Sequence, residues 1–102
     1  MGPHAHAHDM NFSQLVQLAS EIDLAKLADE LSQLRAKMKS EPDTPERDPS
    51  IGEVAAAEVA AKDGKGPQAL EHLKKAGKRA LEVAEKIGTT VAASALKSSL
   101  GL

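Results

Sequence analysis

The sequence predicts an all-α protein: a small helical bundle with a long N-terminal helix, an antiparallel alanine-rich helical hairpin and a short C-terminal helix. Three observations carry that expectation. Apolar residues recur at spacings of three and four along most of the chain, no stretch alternates apolar with polar as a half-buried strand does, and glycine and proline fall between the periodic segments. The 102 residues are one domain's worth of chain. Phe12 is the single aromatic residue, so Leu, Val, Ile and Ala must fill the core.

The opening segment MGPHAHAHD sets His4, His6 and His8 at alternate positions ahead of Met10. Imidazoles so spaced can reach one zinc, nickel or copper ion from an extended segment. Alternating His-Ala followed by a second methionine reads instead as an expression tag, so residues 1–9 are set aside and no native metal ligand is assigned. The only other histidine, His72, has no second His or Cys nearby to complete a site.

Residues 10–40 are expected to form the N-terminal helix. Leu24, Leu27, Leu31, Leu34 and Met38 follow a three/four spacing, an apolar stripe of about two heptads that suits packing in a bundle. Leu15, Leu18 and Ile22 lie out of phase with it, which predicts a bend or a fresh start near residues 20–23, with Ser20 capping and Asp23 in the first turn. The segment SEPDTPERDPS contains three prolines and no apolar residue, so an acidic linker is expected over 41–49. The next helix can restart at Thr44 or at Asp48; Asp48 is favoured because the earlier start would leave Pro49 inside the helix.

From residue 50 onward the chain reads as a hairpin plus a last helix. IGEVAAAEVAAKDG is an alanine-rich helix closed by Gly64, with Gly52, Ala56 and Ala60 forming a row of small residues for tight helix packing. After a turn too short to cross the domain, Gly66 caps and Pro67 opens an antiparallel partner carrying Leu70, Leu73, Gly77, Ala80, Ala84 and Ile87. Glu71 with Lys75 and Glu82 with Lys86 are pairs four residues apart, in the favourable order. At Gly88 a break is favoured, although Ala84, Gly88, Val91 and Ala95 keep helical phase straight through it. The final helix presents Val91, Ala92, Ala95 and Leu96 on one face.

The stretch IGEVAAAEVAAKDGKGPQALEHLKKAGKRALEVAEKIGTTVAA, preceded by LADELSQLRAKMKSE, resembles a family of small bacterial all-helical modules found alone or at the end of larger proteins. Its marks are the acidic proline linker, the IGEVAAAE helix and the basic KKAGK helix ending in KIGTT. The resemblance implies no activity and brings no functional residues.

Composition narrows the function classes. Cysteine is absent, which removes disulfides, thiolate nucleophiles and Cys-type metal sites; with no secretory signal, a cytoplasmic location is expected. No serine has a companion histidine in its sequence context, G-x-S-x-G is missing, and KDGKGP lacks the spacing of a phosphate loop. No enzyme activity and no cofactor are therefore expected. The net charge of −2 conceals a split: residues 10–61 carry five Lys/Arg against ten Asp/Glu, and residues 62–102 carry eight against four. Such halves attract each other within one molecule or between two.

The expected function is a non-catalytic protein–protein interaction or oligomerisation module, a homodimer or a docking unit for a larger protein. Its expected interface is Leu24, Leu27, Leu31, Leu34 and Met38 together with Val91, Ala95 and Leu96, on the reasoning that aromatic-poor helices leave apolar surface for a second chain to cover. Two alternatives follow from other segments. The C-terminal run could act as an amphipathic membrane helix. Lys74, Lys75, Lys78 and Arg79 form a basic patch that could contact nucleic-acid phosphates, though no aromatic is interleaved for base stacking.

Overall fold

The computed structural model describes residues 12–41, 45 and 47–102 and consists, over these residues, of helices joined by short turns. They are α1 (Phe12–Ser20), α2 (Leu24–Ser40), α3 (Arg47–Lys62), α4 (Gly66–Lys86) and α5 (Val91–Ser99). The expected all-α bundle is what forms. Residues 1–9 and part of the acidic linker lie outside the described residues.

The expected long N-terminal helix is two helices. Residues 21–23 turn tightly, with the Glu21 and Ile22 N–H groups donating to Leu18 O and Ala19 O. Asp23 then takes the cap that Ser20 was expected to supply: its backbone is extended (φ −75°, ψ 99°) and its carboxylate accepts from the Lys26 N–H at 3.1 Å. The Ser20 hydroxyl instead donates back to Gln17 O at 2.7 Å. One extended residue is what it takes to bring the Leu18/Ile22 set and the Leu24 stripe into the same core.

α3 begins at Arg47, one residue before the favoured start. Pro49 thus sits in the first helical turn, where its missing N–H loses no intrahelical bond. The buried row is Ser50, Val54, Ala57 and Ala61, not the expected Gly52, Ala56 and Ala60, of which only Ala60 is buried. A Cβ on Gly52 would meet nothing within 4 Å. In an alanine-rich helix small residues recur on every face, and the one bulky side chain that fits the core, Val54, decides which face turns inward.

α3 and α4 form the expected antiparallel hairpin, with Ser50 opposite Ala76 and Glu53 opposite His72. Gly64 closes α3 at φ +75°, with Lys65 N–H to Ala60 O and Gly64 N–H to Ala61 O, the paired bonds of a glycine C-cap. Leu70, Leu73, Ala80 and Ala84 are buried as the stripe predicts. Gly77, expected to continue that stripe, interrupts it: at φ +83°, ψ −173° its backbone is not helical, and α4 kinks there. That conformation is open only to glycine. The kink breaks the helical hydrogen-bond ladder within the core, and the buried Ser50 hydroxyl donates to Ala76 O at 2.7 Å.

Gly66 does not act as the expected cap; it is buried where α1 meets α4, and Lys65 occupies the cap position. A Cβ on Gly66 would lie 2.5 Å from the Ala19 Cβ, so the two helices touch backbone to methyl. The break favoured at Gly88 is present: α4 ends at Lys86, Gly88 stands at φ +78°, and α5 folds back against α4 and α2. Among the described residues no helix is long and apolar enough to cross a membrane.

Gly66→Ala is expected to push α1 away from α4 and cost about 1–3 kcal/mol, the usual range for overpacking. A lowered urea midpoint together with loss of hydrogen-exchange protection confined to residues 16–20 would verify it; an unchanged midpoint contradicts the close approach.

Candidate interaction face

Of the eight residues expected to form an interface, six are core. Leu27, Leu31, Leu34, Met38, Ala95 and Leu96 are buried within the single chain, and Leu24 and Val91 are half-buried against the same cluster. Val16, Val59 and Leu102 are the only large hydrophobic side chains exposed among those described. The reasoning that an aromatic-poor chain leaves an apolar face uncovered is therefore corrected: close packing of small side chains lets one copy enclose its own leucines.

The basic patch is likewise divided. Lys74 and Lys75 precede the Gly77 kink and Lys78 and Arg79 follow it, so the four do not share adjacent rows of one regular helix. Arg79 Nη2 is held by Glu41 Oε1 at 3.0 Å, and its Nη1 lies 3.5 Å from Glu82. Glu41, at the end of α2, also draws in Lys86 (3.5 Å) and Lys37 (3.9 Å). Here the acidic half meets the basic half within one molecule. His72, expected on a wet face, is half-buried with Nδ1 2.8 Å from Glu53 Oε1. No cluster of three or more His, Cys, Asp or Glu residues able to hold a metal occurs among the described residues.

Three polar residues that sequence reasoning missed do the most inside the bundle, and each lies on a row that is otherwise apolar. Glu30 sits between Leu27 and Leu34 on the α2 stripe and is 8% exposed. Its Oε1 accepts from the Ala92 N–H at 2.8 Å and its Oε2 from the Thr90 hydroxyl at 3.3 Å. A carboxylate from α2 thus serves the N-terminus of α5, where unpaired N–H groups and the helix dipole favour negative charge. Glu58 sits on α3 beside Ala57 and Ala61; Arg35 contacts its Oε1 through Nε (3.0 Å) and Nη2 (2.9 Å), and Lys62 Nζ lies 3.1 Å from Oε2. Burial alone would raise the Glu58 carboxyl pKa; the hydrogen bonds and charges of Lys62 and Arg35 outweigh it and hold the group below its ordinary range. Ser50, at the kink, is the third. The signal available in the sequence was the same for all: a polar residue at a core register.

What remains on the outside is unevenly charged. α4 carries eight charged side chains and α2 six. α1, FSQLVQLAS, carries none, and α5 carries only Lys97, which is turned toward α4 and paired with Glu85 at 3.3 Å. Between these two helices runs a groove floored by Leu18, Ile22, Val91 and Ala95 and edged by Ser94 and Ser98. Val16, 44% exposed, stands on the adjoining surface of α1. Meanwhile the inner face of α5, with Ala92, Ala93, Ala95 and Leu96, is buried, so a lipid surface could meet it only after α5 undocks.

Removing the Ser50 hydroxyl in Ser50→Ala leaves the Ala76 carbonyl without its buried donor and is expected to cost about 1–3 kcal/mol in equilibrium unfolding. For Glu58 the folded pKa lies below the unfolded one, so its contribution is present above about pH 4.3 and disappears as pH falls through the folded value. Glu58→Gln should therefore lower stability at pH 7 by about 1–2 kcal/mol, since both cations remain partly in water. The gap between wild type and variant should close below about pH 4; a gap constant from pH 7 to pH 3 contradicts the assignment. No protein-family model, no curated protein and no solved structure matches this chain, so the resemblance to small bacterial helical modules rests on its motifs alone.

Proposed function

We propose that this chain is a non-catalytic self-association module and that it docks a second copy through the α1–α5 face. The observation that supports this reading is the absence of charge from that face in a chain whose residues are 27% charged. Interface cores are marked by depletion of charged side chains more than by bulk hydrophobicity. A two-fold interface also sets a patch against itself, so a charged patch repels its own copy and an uncharged one does not. The groove of Leu18, Ile22, Val91 and Ala95 offers concave apolar surface, and Val16 beside it offers a side chain to fill the partner's groove. Glu21 and Asp23 lie at the rim, where salt screens their mutual repulsion.

Sedimentation equilibrium on chain lacking residues 1–9 tests the reading. A concentration-dependent dimer is expected, tightened by added salt and weakened about tenfold or more by Val16→Glu or Ser94→Glu, a loss of about 1.4 kcal/mol or more. A wild-type monomer at every concentration, or a dimer indifferent to both substitutions, overturns it.

A further inference from the structure

The turn between α4 and α5 is held by few contacts, and the residues on either side of it are in helical register. Gly88 stands at φ +78°, Thr89 N–H and Oγ1 both reach back to Ala84 O (3.1 and 3.0 Å), and α5 starts at Val91. Ala84, Gly88, Val91 and Ala95 nevertheless follow the spacing of one uninterrupted apolar stripe. Were residue 88 helical, α4 and α5 would be a single rod, and α5 would point away from the groove of α2 and α4 that now holds it.

We propose that α5 is an exchangeable arm: when the turn at Gly88 straightens, α5 of one chain takes the place of α5 on a second copy, Glu30 of each chain receiving the Ala92 N–H of the other. The groove is built for this occupant. It already binds an identical α5, burying Ala92, Ala95 and Leu96 and pairing Glu30 Oε1 with the Ala92 N–H at 2.8 Å. Every one of these contacts is remade between chains in the exchanged form, so only the turn and the loss of independent motion separate the two states. Four residues, 87–90, link the helices, and a short connection is the kind that favours exchange. The arm is also terminal, so it leaves without dragging other elements out of the core. This mode of association is distinct from docking of intact α1–α5 faces and stands or falls separately.

Gly88→Ala isolates the hinge, because a Cβ at residue 88 meets nothing within 4 Å and so adds no clash. It disfavours the positive φ and favours the helix at the same position. In the full chain it is expected to raise the dimer association constant by roughly tenfold or more. Val16→Glu in the same chain should not reverse the gain. In a refolded equimolar mixture of differently isotope-labelled chains, a magnetisation-transfer contact should join the Ala92 amide of one chain to the Glu30 side chain of the other. Gly88→Asn, which tolerates the positive φ, should behave as wild type. A Gly88→Ala chain that stays monomeric and merely melts earlier overturns the proposal, as does a dimer that Val16→Glu abolishes. Should Gly88→Ala not fold, wild-type chain refolded at high concentration gives the deciding measurement: the same interchain contact supports exchange, and its absence rejects it.

Discussion

A core made almost entirely of leucine, valine and alanine forces its helices close together, and that closeness shapes the rest of the molecule. Short side chains bury enough area only when backbones approach, as where Gly66 meets the Ala19 methyl. Close approach in a chain of this size brings helix ends and kinks into the interior, where water cannot satisfy their unpaired backbone groups. The partners must then come from neighbouring helices. Ser50 on α3 serves the kink carbonyl of α4, Glu30 on α2 serves the first N–H groups of α5, and Thr89 serves the end of α4. These three polar contacts also fix register, since each joins elements that alanine-rich surfaces alone would allow to slide.

Charge follows the same economy. The acidic and basic halves of the chain meet inside one copy, at Glu41 with Arg79 and Lys86, and Glu58 gathers Arg35 and Lys62. Glu58 stays ionised although buried because two cations offset its desolvation, and both cations keep part of their surface in water. With the charges of α2, α3 and α4 engaged along the body of the bundle, the end formed by α1 and α5 is left with polar but uncharged side chains over an apolar groove. Attraction between the halves therefore does not call for a second chain; the uncharged end is the surface that accommodates one.

The α4–α5 turn expresses a near balance between two ways of continuing the chain. Helical phase runs through Gly88, and the residue itself costs a helix interior about 1 kcal/mol relative to alanine. The folded-back arrangement is held by one positive φ, the bonds to Ala84 O, the burial of Leu96 and the carboxylate of Glu30. A small change at any of them shifts the balance, and the position of α5 at the end of the chain lets the shift occur without disturbing the α3–α4 hairpin.

The sequence by itself determined the helices and most of their ends. Leucine spacing marks α2 and α4 as half-buried, Gly64 and Gly88 mark stops because only glycine takes the left-handed cap at no cost, and proline marks the acidic break. Periodicity says that a face is covered but not by what, so the Leu27/Leu31/Leu34 stripe and Leu96 could be read as an interface when they are the core of one chain. Only the tertiary structure decided that, because enclosure depends on how closely the other helices come. It also decided that Gly77 is a kink and Gly66 a contact, when local preference alone permits either to be an ordinary helical or capping residue. Lastly, it converted Glu30, Ser50 and Glu58 from surface-type residues into internal partners. A hydrogen-bonding group at a core register is stabilising or ruinous according to whether a distant backbone group or opposite charge arrives to meet it, and that arrival is a property of the folded whole.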